Sequence, residues 1–254
     1  MWKNPYFNLG EGQAKYAVNG AWSLFDKILK LVSGLFVMGW VARHIGVSNF
    51  GIYSYAQTLV FLFAALAGLG LDDILVRELV KSKKHHYEIL GTALGARVIA
   101  SILSVLLMVV AAKISGISDV KYIVIIIMAL TLPLQSFNII EAYYKSQVLG
   151  KFTAISSSIC VVVSAAIKIT LITNDAGLLY FASVFLWDAF LYSVILIYVY
   201  SLKSNQKIFL WKFSAKRCKE LLSYSWPMIL SGVAISIYMK IDQIMIGNML
   251  GDNA

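Results

Sequence analysis

Apolar blocks of about twenty residues, separated by short basic clusters, constrain this chain more than any other feature. A segment buried in hydrocarbon must satisfy its own backbone hydrogen bonds, so only helices or closed barrels can cross a bilayer. A barrel strand alternates apolar and polar residues, and segments 98–112 and 122–134 show no such alternation. They read as helices. The chain is 59% hydrophobic and 14% charged, with a mean hydropathy of +0.76, whereas soluble domains carry roughly 25% charged residues. A water-soluble domain is thereby excluded, and the expected fold is all-α: a polytopic transmembrane helical bundle.

Seven spans can be placed, at 22–42, 51–71, 89–112, 122–140, 152–173, 177–200 and 221–250. Most approach the ~20 residues that a hydrocarbon core requires. Pro133 falls inside the fourth and should kink it, because proline removes a backbone donor. Pro227 sits near the predicted start of the seventh, where that missing donor costs little. The first twenty residues are polar, with no short apolar core and cleavage site of a secretory signal, so the first span should act as its own insertion signal.

Most of the 22 basic residues lie in the amino-terminal segment and in the segments that follow even-numbered spans. These are Lys3 and Lys15, then Arg77, Lys81, Lys83 and Lys84, then Lys145 and Lys151, and finally the cluster from Lys203 to Lys219. The opposite side holds only Arg43, Lys113 and Lys121. Lysine and arginine accumulate on the cytoplasmic side of membrane proteins, which places the amino terminus inside. The net charge of +9 therefore reports topology and contact with anionic headgroups rather than nucleic acid.

Basic residues left inside predicted spans are Lys27, Lys30, Arg97, Lys168 and Lys240, and the acids there include Asp26, Asp188 and Asp242. A charge at the bilayer centre costs ~2.5–3.5 kcal/mol on insertion scales, so it normally faces a partner or an aqueous cavity. Asp26 and Lys30 are four residues apart and can pair on one helix face. Lys27 and Lys30 are also close enough to the headgroups to reach them, and Lys168, near the far end of its span, is expected to do the same. Arg97 and Lys240 lie deeper and are expected to line a cavity. Asp188 and Asp242 read as ion-pair partners first and as proton-coupling sites second. Together, Arg97, Lys240, Lys27 and Lys30 form a cationic set suited to a phosphate-bearing ligand.

Other features are bland. Cys160 and Cys218 have no spacing that suggests a disulfide or a metal site. Gly91 and Gly95 fit small-residue helix packing rather than nucleotide binding. His85, His86 and Glu88 read as a solvated loop, since adjacent histidines do not share a helix face. Trp40, Tyr53, Tyr180 and Tyr200 lie near span ends and read as interface anchors. No cofactor is expected.

Arg43-His-Ile-Gly46-Val-Ser-Asn-Phe50-Gly51-Ile-Tyr53, followed by Gly68-Leu-Gly70-Leu-Asp-Asp-Ile-Leu-Val76-Arg77-Glu78-Leu79, resembles the polysaccharide and O-antigen flippases of the multidrug/oligosaccharidyl-lipid/polysaccharide exporter superfamily. Glu141-Ala-Tyr-Tyr-Lys-Ser-Gln147 is similar to the segment after the fourth span of that family. The resemblance implies two six-helix bundles arranged as an inverted V, of which residues 1–220 would be the amino-terminal bundle with its cytoplasmic linker. Residues 221–254 would be the first helix of a truncated second bundle. The apolar helix and polar turn around Gly251 repeat, weakly, those around Gly46, as internal transporter repeats do.

The resemblance further implies a bacterial inner-membrane transporter rather than an enzyme. It would move undecaprenyl-pyrophosphate-linked oligosaccharide by alternating access, with the bilayer and the polysaccharide polymerase machinery as partners. A multidrug or cation antiporter of the sister family is the alternative within the fold. From another class comes a membrane-embedded glycan polymerase or transferase, although the longest loop, 201–219, is basic rather than catalytic in character.

Overall fold

The computed structural model describes residues 9–82, 85–203 and 210–249. Its helices are α1 (Leu9–Ala67), α2 (Asp72–Lys81), α3 (His86–Ile114), α4 (Asp119–Ala129), α5 (Thr131–Gln135), α6 (Ile139–Ser146), α7 (Gly150–Thr173), α8 (Leu178–Lys203) and α9 (Ala215–Met249). Among the described residues, six helical stretches are long and apolar enough to cross a bilayer. The turn at Gly251 that would match the one at Gly46 lies outside the described residues.

The first stretch carries two of the seven predicted spans. As one straight rod, the 59 residues of α1 would extend for about 88 Å, far beyond a hydrocarbon core of ~30 Å. Gly46 breaks it, with φ 80° and ψ 164°, a region essentially reserved for glycine. Lys30 and Gln57 line the same cavity, although 27 positions along a straight helix would separate them by roughly 40 Å. The two arms of α1 must therefore fold back on each other at Gly46. His44 holds the turn, its Nε2 lying 3.1 Å from the Ala176 carbonyl between α7 and α8 and its ring 5.9 Å from that of Phe181.

The fourth span is broken rather than merely kinked. Pro133 cannot donate to the Ala129 carbonyl, and α4 ends at Ala129. The chain continues through α5, a 3-10 turn at Ser136–Asn138 and then α6. Side chains meet carbonyls on either side of the break: Thr131 Oγ1 donates to Met128 O at 2.7 Å, and the Ser193 hydroxyl of α8 lies 2.8 Å from the Leu134 carbonyl. Pro227 departs from expectation. Helix α9 begins at Ala215, so this proline is interior to it and leaves the Ser223 carbonyl without its helical donor.

Packing is inside-out relative to a soluble protein. On α7 the buried residues are Ala154, Ser156, Ser157, Ser158, Cys160 and Ser164, while Ile159, Val162 and Ile169 face outward. Small polar residues facing the protein and branched apolar residues facing out is the arrangement that lipid favours. The core divides into two apolar clusters. One gathers Val41, Ile52, Tyr53, Met108, Val124, Met128 and Phe181 near the Gly46 turn. The other gathers Leu71, Leu75, Leu79, Ile89, Ile140, Tyr144, Tyr200 and Leu221 at the opposite end. Tyr53 and Tyr200 are thus core residues, 2% and 0% exposed, and only Trp40 and Tyr180 remain exposed as an anchor would be.

Several loop residues turn inward as well. His86 is buried, its Nε2 3.0 Å from the Leu79 carbonyl, instead of solvated. Gly91 and Gly95 do not receive another helix. A Cβ on Gly91 would stand 2.7 Å from Lys212 backbone atoms, and one on Gly95 would meet the Phe213 ring at 2.9 Å. The linker before α9 is laid into this groove, with Lys212 N donating to Tyr87 O and Ser214 N to Thr92 Oγ1. Asn19 makes a second clasp, donating to Val148 O at 2.7 Å and accepting from Lys151 N at 2.9 Å, so it ties α1 to the α6–α7 turn.

Gly70 and Gly116 both have positive φ, 57° and 63°, but a Cβ on Gly70 would sit 2.7 Å from Met228 Cβ of α9, whereas Gly116 has open space. Gly116→Ala should cost only the backbone strain, about 1–2 kcal/mol. Gly70→Ala should cost a further ~1–3 kcal/mol through overpacking against α9. Thermal unfolding of the two variants in detergent checks the difference; equal losses would mean that α9 does not press on this turn.

Candidate functional site

Between the two apolar clusters runs a polar belt. Along α3 the order is Ile89, Leu90 and Ala93, then Arg97, Ser101 and Ser104, then Met108 and Ala112; along α8 it is Phe181 and Ala182, then Asp188 and Ser193, then Leu196 and Tyr200. The belt therefore lies at mid-depth in the bundle. Polar groups there must find partners within the protein or within a cavity, because lipid offers none.

The larger cavity in this belt, about 400 Å³, lies between both arms of α1 and helices α6, α7 and α8. Its charged lining residues are Lys30, Lys168, Glu141 and Asp188, with Gln57, Ser157, Tyr53 and Tyr192 among the polar and aromatic ones. Each charge has a partner. Lys168 Nζ lies 3.4 Å from Asp188 Oδ2, which also accepts from Ser164 Oγ at 2.7 Å. Lys30 Nζ lies 2.9 Å from Asp26 Oδ2, one turn back on α1. Glu141 accepts from the Tyr192 hydroxyl at 2.8 Å and lies 3.6 Å from Lys145. Asp188 Oδ1 is buried without a hydrogen-bond donor, an arrangement that costs stability unless something else supplies one.

Arg97 lies elsewhere. It is 4% exposed and its Nη2 stands 2.6 Å from Asp72 Oδ1, whose side chain is 68% exposed. Arg97 Nε donates to Gly68 O at 3.2 Å, so this guanidinium holds the turn between α1 and α2 onto α3. A separate cavity of about 100 Å³, lined by Arg97, Asp72, Gln135, Ser136 and Asn138 among others, surrounds the pair.

The structure thus brings Lys30, with Asp26 behind it, and Asp188 to one cavity and puts Arg97 in another. Lys27 is exposed, and Lys240 stands 5.8 Å from the Phe61 ring centroid. Asp242 is exposed beyond it on α9. Lys168 corrects the expectation of snorkelling, since it points into the bundle towards Asp188. Sequence reasoning also passed over Glu141, Gln57 and Tyr192 as site residues. Glu141 left a readable signal: it follows directly on the apolar run of the fourth span. Gln57 and Tyr192 are ordinary residues of apolar helices and left none.

Breaking the Arg97 contact should be asymmetric. Asp72→Asn leaves a buried cation uncompensated and should cost on the order of 3 kcal/mol, while Arg97→Met leaves only an exposed carboxylate that solvent can accommodate. Adding Arg97→Met to Asp72→Asn should therefore recover stability, as thermal unfolding in detergent would register; a double variant less stable than Asp72→Asn alone contradicts this.

Comparison with known proteins bears on this arrangement. A family model described as polysaccharide biosynthesis protein matches residues 17–254. A curated Shigella flexneri protein named "Putative O-antigen transporter" is 26% identical across 92% of this chain. The chain spans 58% of that relative's length. Among solved structures, an inward-facing multidrug resistance MATE family transporter of the MOP superfamily matches with a TM-score of 0.51. That match has 17% identity and covers 92% of this chain and 55% of the other, a likeness of fold. With 17–254 matched, the chain belongs to the polysaccharide biosynthesis protein family.

Proposed function

We propose that this chain is part of a flippase that carries undecaprenyl-pyrophosphate-linked oligosaccharide across the bacterial cytoplasmic membrane by alternating access. Residues 1–220 belong to its amino-terminal bundle with the linker and residues 221–254 to the start of a second, with the amino terminus cytoplasmic. The observation that carries this reading is the cavity of about 400 Å³ with four charged lining residues, set at mid-depth among helices whose outer faces are apolar. A wet, partnered hollow inside an apolar shell is what a lipid-borne polar cargo requires. Membership of the polysaccharide biosynthesis family and the MATE-like fold support transport over catalysis.

Topology fits the same reading. Arg77 and Lys81 of α2, Lys145 and Lys151 on either side of the α6–α7 turn, Lys212 of the linker, and Lys216 and Arg217 in the first turn of α9 all lie at the end opposite the Gly46 turn. A cytoplasmic leaflet would meet that basic end. Lys27, exposed, and Lys30, whose side chain is 52% exposed, lie on the arm that rises from this end, where the diphosphate of an inner-leaflet lipid would first be met.

Deleting the gene should leave lipid-linked repeat units accumulating on the inner leaflet, and the wild-type gene should restore their transfer. The Lys27→Met/Lys30→Met pair should restore it at least about tenfold less well, given the ~1.5–3 kcal/mol of hydrogen bonds to charged groups. Unchanged amount and sidedness of the lipid-linked units after deletion would overturn the reading. Drug sensitisation without that change would favour a multidrug exporter.

A further inference from the structure

The polar cavity and its charges decide which part of such a cargo it can hold. A diphosphate needs uncompensated cations. Both cations that line this cavity already have carboxylates, Lys168 with Asp188 at 3.4 Å and Lys30 with Asp26 at 2.9 Å. Glu141 and Asp188 themselves face the cavity, so an entering diphosphate would meet two anions and would have to displace them from their partners. Like charges in a desolvated site are costly.

Hydroxyl groups meet the opposite situation. Carboxylates are strong acceptors with room for several donors, and Asp188 Oδ1 is buried with none. Glu141 Oε1 and the Tyr192 hydroxyl, 2.8 Å apart, together offer acceptor capacity beside a hydroxyl. The Tyr53 and Phe185 rings, which line the same space and meet edge to face at 6.5 Å, give an apolar surface for the C–H faces of a sugar ring. Alternating polar and aromatic walls match a molecule that is itself hydroxylated at its edges and apolar on its faces.

We infer that the cavity between α1, α6, α7 and α8 binds the uncharged, hydroxyl-rich sugar portion of the cargo, through Asp188, Glu141 and Tyr192, and excludes its diphosphate. This rests on the flippase reading and assigns the two ends of the cargo to different places. The diphosphate stays at the exposed Lys27, outside the cavity lining, with the lipid chain in the bilayer, while the glycan enters the belt. Lys168 then serves as the ion-pair partner of Asp188 instead of as an anion site.

The test measures binding to the full chain in nanodiscs. One probe is bare undecaprenyl pyrophosphate, and the other is the lipid-linked oligosaccharide pool extracted from the producing cells. The wild type should bind the glycan-bearing pool at least about tenfold more tightly than the bare lipid. Glu141→Gln and Asp188→Asn should collapse that ratio towards one, and Tyr192→Phe, which keeps the ring and removes only the hydroxyl, should reduce it several-fold. Equal affinities in the wild type would overturn the inference while leaving the flippase reading standing. So would tighter binding of bare lipid by Asp188→Asn with the ratio unchanged. Binding of neither lipid would overturn both.

Discussion

A layer of polar side chains held at mid-depth between two apolar clusters is the constraint from which the rest of this bundle follows. Lipid can neither donate nor accept hydrogen bonds, so each belt residue must be satisfied by another protein group. That requirement explains why Ser164 and Lys168 of α7 both turn to Asp188 of α8. It also explains why Ser158 of α7 approaches Asp26 of α1, at 3.4 Å, and why Ser193 of α8 reaches the broken fourth span. Contacts between helices that would be interchangeable in an all-leucine interface become specific here, because Ser164, Lys168, Ser158 and Ser193 each meet a defined partner.

The belt exists only because the chain gives up helical regularity at chosen places. Gly46 folds α1 so that Lys30 and Gln57 face one space. Pro133 interrupts the fourth span and sets α6 off from α4, and Glu141 reaches the cavity from α6. Irregular backbone at membrane depth is tolerated where protein or a polar cavity covers it, and Thr131 and Ser193 supply the covering donors. A regular helix through either position would leave the same residues facing elsewhere.

Much of this was legible in the sequence, and most of what was missed shares one cause. Hydropathy and length locate where a residue lies along the membrane normal, so the spans, the Pro133 break and the Asp26–Lys30 pair were readable. They do not give the azimuth of a side chain around its helix. Lys168 lies five residues from the end of α7, roughly 8 Å of rise, a depth from which lysine can reach out to headgroups or inward to Asp188. Only the packing of α8 decides between them. Tyr53 and Tyr200 are core residues instead of anchors for the same reason, and Arg97, expected to line a cavity, lines the smaller one beside Asp72. Pro227 was misjudged because the polar residues before Leu221 hid the true start of α9.

The partners of the intramembrane charges also indicate which parts of the fold move together. Lys168–Asp188 links α7 to α8, Arg97–Asp72 links α3 to the start of α2, and Asn19 links α1 to the α6–α7 turn. All of these join elements within residues 19–188. Against α9 the contacts have another character: Gly70 lies under Met228, Arg77 stands 5.5 Å from the Tyr224 ring centroid, and Lys240 faces Phe61. Close packing and ring contacts can slide by small steps, whereas a desolvated ion pair must be broken outright. The helices that enclose the cavity are therefore coupled to one another by directional contacts, while Met228 and Tyr224 of α9 meet Gly70 and Arg77 through surfaces that can shift by small steps.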